Sequence, residues 1–322
     1  MLASHAQVRR QPSAAGVDVA WRVLAIAVVY MLVARLLGLM TGSRPALTTD
    51  YLQTVAISLV TGAVVALVLL PLARRLPYRM RTRFLVLFVP LYWIGLVSNL
   101  VEALVNTSLP AGQLVAAAVI FAIPDAVAAW MIAWLLSASP SSGQVPGLWD
   151  VLRRRPLRSW AWRILAAGLL FAAFLELFGI LWGPLISKYY QDPTYIAQVQ
   201  TVKAPDYVVV PEEISRGVIF VLVLLPILAV MPGRGRWELL RTAAYIALID
   251  AAFESWLALL AMTTYPLGFR IGEGLDLTTD AIARGIIVAV LLALPLATAV
   301  HEKPGEELNA SGARSSVTTF DP

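Results

Sequence analysis

Apolar stretches long enough to cross a bilayer recur along this chain, at about 19–40, 52–72, 84–105, 113–137, 161–184, 212–231, 238–261 and 277–299. A helix needs roughly 20 apolar residues to span a hydrocarbon core. Backbone exposed to lipid has no water to bond, so spanning segments must be helices or a closed barrel. A barrel would read as short segments of alternating polarity, and none occur. The composition agrees, with 59% hydrophobic and 14% charged residues and a mean hydropathy of +0.75. The expected fold is therefore all-α, a polytopic membrane protein with eight transmembrane helices.

Orientation follows from where lysine and arginine sit in the short loops. Arg74, Arg75, Arg79, Arg81 and Arg83 form one basic segment, Arg153, Arg154, Arg155 and Arg158 a second, and Arg234, Arg236 and Arg241 a third. They alternate with segments poor in basic residues near 41–50, 106–112, 185–211 and 262–276. This pattern places both termini on the cytoplasmic side of the cell inner membrane. It also accounts for the net charge of +5, so no nucleic-acid partner is expected and the bilayer is the expected environment. Arg9-Arg10 precedes the first apolar stretch, which is too long for an export signal and lacks a small-residue cleavage site, so it reads as a retained anchor. The absence of cysteine removes disulfides, thiolate metal ligands and a cysteine nucleophile. The tail 301–322 is polar and expected to be disordered.

The chain also reads twice. Ala20-Trp21-Arg22-Val23-Leu24-Ala25 returns as Ala161-Trp162-Arg163-Ile164-Leu165-Ala166, and Gly38 is answered by Gly179. Asp50-Tyr51 returns as Asp206-Tyr207, and Leu69-Leu70-Pro71 as Leu224-Leu225-Pro226. Arg79 and Arg81 match Arg234 and Arg236, and Asp125-Ala126-Val127-Ala128 matches Asp280-Ala281-Ile282-Ala283. Each unit holds an even number of crossings, so the two would be parallel repeats about an axis along the membrane normal. The expected organisation is an N-terminal segment 1–18, a first four-helix repeat 19–137, a linker 138–160, a second repeat 161–300 and the tail 301–322.

Ionisable residues inside the spans cost roughly 2.5–3.5 kcal/mol each near the bilayer centre. They therefore mark partners or a site. The first half carries Arg35, Glu102 and Asp125; the second carries Glu176, Glu212, Glu213, Arg216, Asp250, Glu254, Asp280 and Arg284. Helix direction puts most of the second set at one depth, in the outer half of the membrane. Asp250 and Glu254 share a helix face, as do Asp280 and Arg284, each pair being four apart. Glu212 and Glu213 are expected in a first helical turn after Pro211, where acids also suit the helix dipole. Arg35 and Glu176, at matching places in the two units, are expected to neutralise one another.

Pro211-Glu212-Glu213-Ile214-Ser215-Arg216-Gly217 resembles the paired-glutamate motif of the CPBP and PrsW-type intramembrane proteases, and Ile249-Asp250-Ala251-Ala252-Phe253-Glu254-Ser255 looks like the PrsW-type second motif. In those families a third motif places a histidine four residues before an aspartate or asparagine; here Asp276 stands four before Asp280. The resemblance covers helices six to eight. It implies an intramembrane endopeptidase, or a descendant of that scaffold without peptidase activity. Its substrate would be a single-span membrane protein. Glu212, Glu213, Arg216, Glu254 and Asp280 would be the catalytic set.

Chemically, one carboxylate would act as general base on a water while a neighbouring acid or Arg216 steadies the oxyanion. The only histidines, His5 and His301, lie outside the spans, which excludes a histidine-ligated intramembrane zinc. A hard divalent cation held by carboxylates remains open. Asp250, Glu102, Asp125 and Glu176 would bind substrate or an ion. Two other classes also fit: a proton- or cation-coupled carrier built from duplicated halves, and a non-catalytic membrane partner. In the first of these, Pro90, Pro124, Pro226 and Pro295 would permit broken helices. In the second, the arginine loops would meet anionic lipid. The sequence sets no oligomeric state.

Overall fold

A computed structural model describes residues 12–40, 49–137, 148–153, 155–193, 204–231, 236–261 and 265–292. The described residues form eight long helices: α1 (Pro12–Met40), α2 (Thr49–Ala73), α3 (Met80–Asn106), α4 (Ala111–Leu135), α5 (Leu157–Tyr190), α6 (Asp206–Val230), α7 (Arg236–Leu260) and α8 (Leu267–Leu292). A short helix, Leu148–Leu152, precedes α5. The first seven long helices are apolar enough to cross a membrane by length and composition. The eighth is set apart by Asp276, Asp280 and Arg284 within its apolar run. No strand is present among the described residues.

Helix starts follow local chemistry. α4, α5 and α6 begin directly after Pro110, Pro156 and Pro205, each in an extended conformation that a helix can leave but proline cannot continue backwards. The segment 1–18 is not all pre-helical, since α1 already runs from Pro12. Within the linker, 138–147 lies outside the described residues, as do the tail 301–322 and the end of the eighth expected span, with Pro295. Pro71, Pro90, Pro124, Pro184, Pro211 and Pro226 all lie within helices. Two helices carry a wide π-turn: Trp93–Val97 in α3, three residues past Pro90, and Ala251–Trp256 in α7. The first follows Pro90, which lacks the N–H that the turn before it would use. The second has no proline and instead lies between Asp250 and Leu257.

Packing is strongest within α1–α4 and within α5–α8. α1 lies against α2 and α4, and α3 against α4; α5 lies against α6 and α8, and α7 against α8. The two groups meet where the π-turns touch, where α3 reaches α6 and where α2 reaches α7. Their shared apolar core includes Leu69, Leu87, Ile94, Val221, Leu224, Ile249 and Phe253.

Contacts recur at corresponding places in the two groups. Arg22 of α1 donates to the carbonyl of Leu135 at the end of α4, at 2.5 Å. Arg163 of α5 donates likewise to Leu291 at the end of α8. The first satisfies a carbonyl that the C-terminus of α4 leaves unpaired. Gly62 of α2 seats on Ala27 and Tyr30 of α1, whereas Gly217 of α6 seats on Gly168 and Phe171 of α5. A methyl at Gly62 would lie 2.8 Å from Ala27 Cα, and one at Gly217 would lie 3.0 Å from Gly168 Cα. Both helix crossings are too close for a side chain, as in small-residue interfaces of membrane helices.

Gly62→Ala and Gly217→Ala are each expected to destabilise the detergent-solubilised protein by about 1–3 kcal/mol through overpacking. Gly112→Ala, which meets nothing within 4 Å, is expected to leave thermal unfolding unchanged. Equal melting curves for all three would show that the crossings are loose.

Candidate functional site

Two arginines organise the charged residues of α3, α6, α7 and α8. Arg216 of α6 reaches Glu213 at 2.7 Å, Glu254 at 3.0 Å, Glu102 at 3.1 Å and Glu212 at 3.6 Å. Its Nε also donates to Ser98 Oγ at 3.1 Å. Arg284 of α8 is paired with Glu254 and Asp280 and lies 3.5 Å from Asp250. Glu254 is the bridge: its Oε1 faces Arg216 and its Oε2 faces Arg284. Six carboxylates thus surround two guanidiniums.

Local sequence explains how each group arrives. Glu212, Glu213 and Arg216 lie within four residues of one another and share a side of α6, and Asp280 and Arg284 are one turn apart on α8. On α7 the π-turn begins just after Asp250 and contains Glu254, and on α3 the other ends just before Ser98. A wide turn rotates the residues after it relative to a regular helix, and such turns are frequent at functional sites. The α3 segment fastens the bridge further: Ser98 Oγ donates to Glu254 Oε1 at 3.4 Å, and Asn99 Nδ2 donates to the Glu254 carbonyl at 3.3 Å. The Arg284 guanidinium also lies over the rings of Phe171 and Phe220, 5.6 and 5.9 Å from their centroids.

The cluster is largely sealed. Asp250 is fully buried and Asp280, Glu213, Arg216, Glu254 and Arg284 nearly so, while the Glu102 side chain, 48% exposed, is the part of the cluster nearest the surface. Against Glu213, Arg216 and Arg284 lies a cavity of about 10 Å³, closed by Ser98, Phe171, Gly217 and Phe220. That is about the space of one water molecule. Both oxygens of Glu212 and the Oδ1 of Asp250 are buried without a hydrogen-bond partner.

The structure brings Glu212, Glu213, Arg216, Asp250, Glu254 and Asp280 together, and adds Glu102 of α3, which spacing and depth had not placed with them. It departs from expectation in three places. α6 begins at Asp206 rather than beside Pro211, so the paired glutamates sit in its second turn, beyond the end of the helix dipole. Asp125 is buried apart from the cluster, 3.5 Å from the Tyr30 hydroxyl between α1 and α4. Arg35 does not pair with Glu176: Arg35 donates to Ser58 at 3.0 Å within its own half, and Glu176 lies on the exposed face of α5. The two residues do not meet because α1 and α5 pack chiefly inside their own groups, α1 on α2 and α4, α5 on α6 and α8. Ser98, Asn99, Phe171 and Phe220 were missed by sequence reasoning. The one signal for the first pair was Ser98 standing four residues before Glu102 in an otherwise apolar run.

Among the described residues, no three His, Cys, Asp or Glu side chains are grouped to hold a metal ion. Guanidiniums occupy the space between the carboxylates, so the donor set does not fit a divalent cation. No protein-family model, curated protein or solved structure matches this chain.

Arg216→Met strands buried carboxylates and is expected to cost about 3–5 kcal/mol, seen as loss of folded protein in detergent. Glu102→Gln, at the half-exposed edge of the cluster, is expected to cost no more than about 1 kcal/mol. Equal losses in the two variants would show that Arg216 does not hold the cluster.

Proposed function

We propose that the chain is an intramembrane hydrolase of the glutamate type, with Glu213 as the base that activates a water. The observation carrying this reading is the water-sized cavity beside Glu213, Arg216, Arg284 and Ser98. A water there would lie against a carboxylate able to take its proton and two guanidiniums able to hold the oxygen charge that forms when it adds to a carbonyl. Glu213 would then return the proton to the departing amine nitrogen as the tetrahedral intermediate breaks its C–N bond. Glu254 keeps both arginines in place, so it is a positioning residue. The similarity of Glu212-Glu213 and Arg216 to the paired-glutamate motif of CPBP and PrsW-type proteases supports the same reading, with a single-span membrane segment as substrate. The cavity admits a water but no peptide, so substrate access requires α3, which carries Glu102, to move away from α6.

A second reading rests on charge. Six carboxylates face two guanidiniums, and the unpartnered oxygens of Asp250 and Glu212 lie where solvent does not reach. More carboxylates than guanidiniums in so dry a place need protons or cations, as a proton-coupled carrier would use them. We further read α1–α4 and α5–α8 as parallel repeats. The Arg22 and Arg163 contacts and the Gly62 and Gly217 crossings support this, because each pair falls at matching places in the repeated text. On this reading the cluster has no counterpart centred on the first unit, since Ala129 occupies the place that Arg284 holds, and α3 of the first unit joins it through Ser98, Asn99 and Glu102.

The two activities separate experimentally. Reconstituted wild-type protein is expected to cleave a single-span reporter near one membrane face, and Glu213→Gln to reduce that cleavage at least about a hundredfold with unchanged expression. Acidification of sealed vesicles that is lost in Asp250→Asn, with no reporter cleavage, would replace the hydrolase by the carrier.

A further inference from the structure

A second cavity, remote from the acidic cluster, lies at the arginine-rich end of the bundle where α2 meets α7. It has a volume of about 180 Å³ and is lined by Pro71, Leu72, Arg75, Met231, Arg241 and Tyr245. Its two parts differ in chemistry. Pro71, Leu72 and Met231 make an apolar floor. Arg75 and Arg241 make a cationic rim just where the membrane-crossing part of α2 ends, at Ala73. Tyr245 closes one side and is fixed there by donating its hydroxyl to the Val68 carbonyl at 2.9 Å.

Among the described residues the charge at this rim is uncompensated. No acidic residue lines the cavity, and neither Arg75 nor Arg241 forms an ion pair among the described residues. Arg75 and Arg241 are exposed, unlike Arg216 and Arg284, which are buried on carboxylates, and Arg22 and Arg163, which are half-buried on helix carbonyls. Trp237, four residues before Arg241 and 74% exposed, extends the same face of α7 toward the zone where aromatic side chains meet lipid headgroups.

We propose that this cavity binds a phosphate-bearing anionic group, with Arg75 and Arg241 as its partners and the apolar floor receiving what the phosphate is attached to. Guanidiniums match phosphate oxygens in geometry and charge. A site half basic and half apolar at a membrane boundary suits the headgroup of an anionic phospholipid. A soluble phosphate would use the rim and leave the floor idle.

The test is thermal unfolding of the full chain in neutral detergent with added short-chain phosphatidylglycerol, phosphatidylcholine or inorganic phosphate. Phosphatidylglycerol is expected to raise the melting temperature and phosphatidylcholine to leave it unchanged, because binding to the folded state alone is stabilising. In the R75Q/R241Q protein the apparent affinity is expected to fall about tenfold or more. R74Q/R79Q, which removes equal charge from outside the cavity, is expected to behave as wild type. A response to inorganic phosphate matching that to phosphatidylglycerol would identify a soluble phosphate as the ligand, and a weaker one the lipid. Should the double variant unfold, the single Arg75→Gln and Arg241→Gln proteins are expected to lose part of the response each. The assignment is overturned if both lipids stabilise equally, or if R75Q/R241Q and R74Q/R79Q respond alike.

Discussion

The carboxylate of Glu254 is the constraint on which the rest of this structure depends. Held between Arg216 and Arg284, it joins α6 and α8 through a side chain of α7, and Ser98 and Asn99 bring α3 to the same point. Burying any of these charges alone would be costly, and burying them together is tolerable only while each keeps its partners. The network therefore fixes the relative rotation of four helices. Apolar packing cannot do this as well, because a helix surrounded by lipid gains little from turning one leucine rather than another inward.

Electrostatics and backbone geometry converge at that point. The two π-turns lie against each other and flank the residues that hold Glu254. Each widens its helix beside a polar group. Close crossings at Gly168 and Gly217 draw α5 onto α6, and one at Gly285 draws α8 onto α7, and the rings of Phe171 and Phe220 cover the Arg284 guanidinium. Small residues thus have an electrostatic effect, since they let aromatic faces exclude lipid and water from the charges.

Much of this was legible in the text of the chain. The apolar stretches located the helices because a spanning segment must be long and apolar whatever its neighbours are. That Asp250, Glu254, Asp280 and Glu213 would meet followed from helix direction, and four-residue spacing identified the Asp280–Arg284 pair. Rotation about each helix axis was not legible. It decides that Arg284 also meets Glu254, that Asp125 faces Tyr30, and that Glu176 turns outward. Nor did the text betray the π-turn in α7, where no proline marks it. The pairing of Arg35 with Glu176 failed for a related reason, because matching depth is not adjacency.

The composition of α8 bears on how the protein is made. Asp276, Asp280 and Arg284 leave this helix poorly suited to enter lipid by itself. Its counter-charges on α6 and α7 are synthesised first and are already in place when it emerges. This helix is therefore drawn into place by partners made before it rather than by its own oiliness, through the same contacts that assemble the acidic cluster.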